Sequence, residues 1–170
     1  MQINGKTLRL TTFSMLVAIA MILSYVESLI PPLVAVPGVK IGLSNIATVF
    51  ALYTLGKKSA VYVSLVRVSL SALLFGNVAS FIFSLSGAIF SLAVMIILTR
   101  VGWFSHIGVS VAGGVCHNAG QIVAAMLVLK NSGILYYFAP LIISGTLAGV
   151  AVGAAAGLLV TRLSGKISRG

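Results

Sequence analysis

Five side chains have types that could do chemistry: Glu27, at one end of an apolar run, and Arg67, His117, Asn118 and Gln121, within such runs. Arg67 interrupts an apolar run. A guanidinium offers five N–H donors and no acceptor, so it suits a carboxylate, a phosphate or a carbonyl-rich group. His117 and Gln121 are four residues apart and share one face if that segment is helical. They lie in the run Gly113-Gly114-Val-Cys-His-Asn-Ala-Gly120-Gln121, whose glycines leave room for a ligand or a neighbouring helix. Asn118 is turned about 100° from His117 on a helix of 3.6 residues per turn, so it faces either the same space or an adjacent helix.

Several chemistries are excluded by what is missing. Magnesium–diphosphate catalysis needs clustered carboxylates, and Glu27 is the only acid in 170 residues, with no Asp at all. A phosphate-binding loop needs Gly-x4-Gly-Lys-Ser/Thr. The segment Gly56-Lys57-Lys58-Ser59 has Ala51 where the first glycine belongs, and the wrong spacing besides. One cysteine, Cys116, rules out an internal disulfide or a cysteine zinc site and reads as a small packing residue. Hydrolase triads, metalloprotease motifs and haem motifs are absent as well. No catalytic residue, metal ligand or cofactor site is expected. A carboxylate proton relay is disfavoured, although His117 alone can titrate.

The elements that position these groups follow from composition. Only 7% of the residues are charged and 59% are hydrophobic, with mean hydropathy +1.18. A soluble domain is roughly a quarter charged, so the solvent for this surface is a lipid bilayer. Membrane helices need about 20 mostly apolar residues. Six stretches qualify, at about 8–28, 41–56, 59–76, 79–99, 107–129 and 138–161, the second and third being short enough to be tilted or partly re-entrant. The fold class is therefore all-α, a six-helix membrane bundle in one domain spanning 1–170. The N-terminal run resembles a signal peptide, but no small-x-small cleavage site is evident, so the first helix reads as retained.

Arg67 then falls near the middle of the third helix, where a charge costs at least about 2.5 kcal/mol on insertion scales. It must face the protein interior, either in a ligand cavity or anchored to carbonyls, Ser69 or Ser71. Lys40, Asn45, Asn77, Ser80 and Glu27 fall toward one mouth of the bundle, where Lys40 and Glu27 are able to pair as a surface salt bridge. The connection from Leu29 to Lys40, with three prolines, reads as a stiff lid.

The net charge of +10 is spread along the ends of apolar runs, which speaks for helix flanks rather than nucleic-acid binding. Lys6, Arg9, Lys57, Lys58, Arg100, Arg162, Lys166 and Arg169 share one side, against Lys40 and Lys130 on the other. Eight against two places both termini in the cytoplasm. Gly145, Gly149, Gly153 and Gly157 make one smooth stripe along the last helix, and Ala20 and Ser24 a weaker one on the first. Such stripes let another backbone approach closely, within this chain or in a partner.

Three segments carry a family resemblance: Pro37-Gly-Val-Lys40-Ile-Gly42-Leu-Ser44-Asn45, Phe75-Gly76-Asn77-Val-Ala-Ser80-Phe81, and Gly114-Val-Cys-His117-Asn118-Ala-Gly120-Gln121. They resemble the bacterial Gx transporter family, which also carries the name heptaprenyl diphosphate synthase component I. In size and helix count the chain is similar to the substrate-binding S components of energy-coupling-factor transporters. The S-component resemblance implies a bacterial cell-membrane protein that binds a small molecule. A transmembrane coupling subunit and ATPase subunits would be its partners, docked on small residues of the first helix. The synthase name implies allylic diphosphate condensation on aspartate-held magnesium. A chain without aspartate fits that name only as an accessory membrane subunit.

The sequence thus leads to two expectations. The preferred one is the substrate-capture subunit of an energy-coupling-factor-like importer, and the alternative is the accessory, non-catalytic subunit of heptaprenyl diphosphate synthesis. The expected binding residues are Arg67, His117, Asn118, Gln121, Asn45, Asn77 and Lys40. The excess of Lys40 and Arg67 over carboxylates favours an anionic or carbonyl-rich ligand. Tyr25, Phe81, Phe83, Tyr136 and Tyr137 are able to stack on it, or to form an interfacial belt.

Overall fold

A computed structural model describes residues 5–30 and 42–167. Six α-helices follow one another: α1 (Gly5–Ser28), α2 (Asn45–Thr54), α3 (Lys57–Phe75), α4 (Val78–Val101), α5 (His106–Leu129) and α6 (Phe138–Ile167), with a 3₁₀ turn at Ser132–Tyr137. No strand occurs among the described residues. Lys40 and most of the proline-rich connection lie outside them.

The helices start and stop for local reasons. Asn77 caps α4: its side chain accepts from the Ser80 amide at 2.8 Å, and the Ser80 hydroxyl returns a bond to the Asn77 amide at 2.8 Å. This reciprocal pair satisfies two amides that a helix start would otherwise leave bare. Gly56 separates α2 from α3 at φ +89°, a conformation that costs a side-chain-bearing residue free energy. Pro140 falls in the first turn of α6, where its missing N–H is harmless.

Five helices are long and apolar enough to cross a membrane. The exception is α2, and here the expected span of 41–56 is corrected. Only ten residues, Asn45–Thr54, are helical. At 1.5 Å per residue that is about 15 Å, half of a hydrocarbon core of about 30 Å. The reason is the turn at Gly42, whose φ of +91° cannot continue a helix, together with the polar ties of Ser44 and Asn45 described below. Consequently Asn45 stands about 15 Å above the Lys57 turn rather than at the outer rim.

Two apolar cores hold the helices. One joins Leu16, Ala20, Phe50, Val63, Met95, Val109 and Val152 from all six helices, and the other joins Phe83, Ile122, Ala125, Ile134 and Leu141 from α4, α5, the 3₁₀ turn and α6. The outside is apolar too, with Leu10, Ile22, Leu73, Ile97, Leu127 and Leu147 among many exposed large side chains. In water such a surface would aggregate, whereas in lipid it is the solvent-facing side.

The glycine stripe on α6 lies against α5. A Cβ on Gly149 would stand 2.5 Å from Val111 Cα, one on Gly153 2.7 Å from Ile107 Cα, and one on Gly145 3.0 Å from Gly114 O. Gly157 is looser, 3.5 Å from the His106 Cβ. Ala20 and Ser24 are buried in the chain's own interior, which makes them packing residues of this fold rather than an open face for a partner.

Candidate functional site

Among the described residues, charge enters the interior at two positions, and one hydroxyl joins them. Glu27, near the end of α1, is 5% exposed. Its carboxylate accepts from the Gly42 amide and, at 3.5 Å, from the Ser44 hydroxyl. Arg67, halfway along α3, is 6% exposed. Its guanidinium donates to the Ser44 hydroxyl and, at 3.2 Å, to the Asn45 side-chain oxygen. The anchors of Arg67 are therefore Ser44 and Asn45 on the approach to α2, not Ser69 or Ser71. Glu27 is buried rather than at the surface, and its expected partner Lys40 lies outside the described residues.

The local sequence explains the arrangement. Arg67 is ten residues past Lys57, and Asn45 ten before Leu55, so both reach about the same depth from the turn between α2 and α3. A half-length α2 thereby delivers polar side chains to mid-bilayer, the depth at which Arg67 most needs them.

A second polar group lies between α4 and α5. His117 and Gln121 on α5 flank Gly87 of α4, where a Cβ would meet the His117 ring at 2.9 Å and Gln121 Cγ at 3.0 Å. The helices approach so closely that a Cβ on Gly120 would lie 2.9 Å from Ser86 O, and the Ser86 hydroxyl donates to Gly120 O at 2.8 Å. Gln121 is fully buried and His117 is 4% exposed. Both amide atoms of Gln121, Nδ1 of His117 and Nε of Arg67 have no hydrogen-bond partner among the described residues.

A small pocket with room for about one water molecule adjoins this region. Asn45, Ser91, Ser110, Gly113, Gly114 and Gly149 are among its lining residues. It sits one turn toward the start of α5 from His117, and through Asn45 it touches the residue that holds Arg67.

The other expected binding residues are placed elsewhere. The Asn118 amide donates to Leu141 O of α6 at 2.7 Å, a tie between helices. Asn77 is exposed and committed to capping α4. Lys40 lies outside the described residues. Phe83 is in the second core, while Tyr136 is 88% exposed and Tyr25 stacks with Phe75 at 5.2 Å on the outer surface. Ser44 was not singled out by spacing, and its only signal is its place beside Asn45 in a polar break between apolar runs. Thr48, fully buried and with no hydroxyl partner among the described residues, gives no sequence signal at all.

The donor set does not fit a catalytic magnesium. No group of three His, Cys, Asp or Glu able to hold a metal occurs among the described residues, and the one acid is occupied by Gly42 and Ser44.

A family model described as heptaprenyl diphosphate synthase component I matches residues 16–159. No curated protein and no solved structure matches the chain.

Proposed function

The chain belongs to the heptaprenyl diphosphate synthase component I family, and from that premise we propose that it is the non-catalytic, membrane-embedded member of a multi-subunit assembly. It holds a small molecule in its interior polar site while a partner carries out the chemistry. The observation that carries this reading is the occupation of Glu27. A chain whose only carboxylate is bonded to Gly42 and Ser44 has no ligand to spare for a diphosphate-bound cation. In the activity that the family name describes, the partner is a soluble prenyl synthase subunit, and this chain is accessory to it.

One observation favours a second reading, the capture subunit of an energy-coupling-factor-like importer. Gln121 and His117 are buried, and both amide atoms of Gln121 and Nδ1 of His117 have no hydrogen-bond partner among the described residues, which leaves hydrogen-bonding groups for a small polar solute. Both termini are taken as cytoplasmic in either reading, and the membrane as that of a bacterial cell.

Gentle solubilisation and affinity purification from native membranes separates the two. Recovery of a soluble prenyl synthase subunit supports the first reading. Recovery of a membrane coupling protein with ATPases supports the second, and recovery of the chain alone, under conditions that preserve other membrane complexes, contradicts both.

A further inference from the structure

The pocket between α2, α4, α5 and α6 is small, but it takes polar side chains from three of these helices. Ser91 of α4 and Ser110 of α5, 4% and 3% exposed, line it together with Asn45 of α2. Gly113, Gly114 and Gly149 complete much of the wall without adding side chains. Every residue on that wall is a described one, so residues 31–41 do not form it. The Ser91 hydroxyl is turned toward α5, since a Cβ on Gly113 would stand 3.2 Å from Ser91 Oγ. A hydroxyl inside a helix often bonds a carbonyl one turn back. Thr54 does so at 2.7 Å to Phe50 O, and Thr99 donates to Ile96 O at 3.0 Å. Ser91 and Ser110 make no such bond among the described residues.

Size and donor pattern identify the occupant. With room for about one water molecule, the pocket is too small for a solute with a carbon skeleton. Water and a bare monovalent cation remain. A cation needs oxygen atoms free to face it. Arg67 has no acceptor, so it is the Asn45 oxygen that it holds, at 3.2 Å. That leaves Asn45 its N–H donors for the pocket and brings the guanidinium charge to the pocket's edge. Both features repel a cation. A water accepts from the Asn45 amide and exchanges hydrogen bonds with two hydroxyls, and three partners is the usual number for a buried water.

We propose that one water molecule binds between Ser91, Ser110 and Asn45 and extends the polar chain of Glu27, Ser44, Arg67 and Asn45 to α4 and α5. Direct contact of α2 with either α4 or α5 is sparse, so the water supplies a tie that the packed side chains do not make. A bridging water is nearly as good as a direct hydrogen bond. This site is independent of which partner the chain serves.

The test is thermal unfolding of the full chain in lipid nanodiscs, in sodium chloride and in choline chloride, for Ser91→Ala, Ser110→Ala and the double variant. It is joined to a crystal structure of the wild-type chain at a resolution that shows ordered solvent. Each single variant melts below wild type. The double variant falls well short of the summed loss, because the first alanine already releases the water. The two salts give the same melts. The crystal structure shows one solvent peak within hydrogen-bond distance of Ser91 Oγ, Ser110 Oγ and Asn45 Nδ2, and it decides the matter alone should an alanine variant fail to fold. Strict additivity, or single variants that melt like wild type, overturns the shared water and returns each hydroxyl to its own helix, on the carbonyls of Gly87 and Ηis106. A melt raised by sodium over choline, and lost in Ser91→Ala, overturns the water in favour of a cation. A crystal structure without a peak in the pocket overturns the site altogether.

Discussion

Removing Arg67 leaves Glu27 buried without its counter-charge, and removing Glu27 does the same to Arg67. Breaking a buried pair from one side typically costs about 3–5 kcal/mol, whereas replacing both partners by uncharged groups is often nearly neutral. We predict that Arg67→Met and Glu27→Gln each lower stability by about 3 kcal/mol, and that the double variant loses much less than the sum. Chemical denaturation in mixed micelles with a double-mutant cycle measures this, and strict additivity would mean that Ser44 does not couple the two charges. The Gln121 and Asn118 amides differ in kind. Asn118 has its bond to Leu141 O, so Asn118→Leu should destabilise by about 1–3 kcal/mol for the carbonyl left bare. A ligand-free protein indifferent to Asn118→Leu would show that the tie contributes nothing to holding α5 on α6.

Between helices, close approach decides what is tolerated. We predict that Gly149→Leu and Gly153→Leu lower stability by more than the roughly 1–3 kcal/mol usual for overpacking, since each would drive a side chain into the backbone of α5. Gly157→Ala, facing only the His106 Cβ at 3.5 Å, should instead be neutral or gain up to about 1 kcal/mol from helix propensity. Thermal unfolding of the three variants gives the comparison, and equal melts for Gly149→Leu and Gly157→Ala would mean that the stripe does not seat α6. The spacing of four that makes the stripe was legible in the sequence, because helical periodicity maps residue number directly onto face. Helix ends on α3, α4 and α5 were legible within a few residues for the same reason, helped by Gly56, Asn77 and Gly102. The length of α2 was not. The stretch 41–56 is apolar on average despite Ser44 and Asn45, and what shortens the helix is a positive φ at Gly42 and the tie to Arg67, twenty-two residues away from Asn45. The site was half legible on similar grounds. His117 and Gln121 share a face by spacing alone, but Ser44 becomes a junction between Glu27 and Arg67 only once three helices converge, which no local pattern encodes. Asn77 reads alike as a rim residue and as a cap until the Ser80 hydroxyl is seen to return its bond.

The whole molecule is an apolar cylinder with a polar layer part-way along it, and the layer has a fixed depth only if the chain has a fixed orientation. The connections alternate ends: α2 meets α3 at Lys57 and Lys58, α4 ends at Arg100 one residue short of its close, and α5 ends at Lys130 on the opposite side. A half-length α2 changes none of this. Whatever path residues 31–41 take, α2 ends at the same turn that starts α3, so the later helices keep their directions. Cationic loops stay on the side where they are made, and the eight-to-two split of basic residues leads us to propose that the Gly102–Ser105 connection is inside and the Lys130–Ser132 connection outside. We predict that, with Cys116 replaced by Ala, Ser132→Cys reacts with a membrane-impermeant maleimide on intact cells, while Thr7→Cys and Trp103→Cys react only after the membrane is opened. Trp103 is a good reporter because it is 90% exposed, so lack of reaction there reports the barrier of the membrane rather than burial in the protein. Labelling of Trp103→Cys from outside would invert the bundle. The Lys57–Lys58 turn would then lie on the outer side, and the charge argument for cytoplasmic termini would fail.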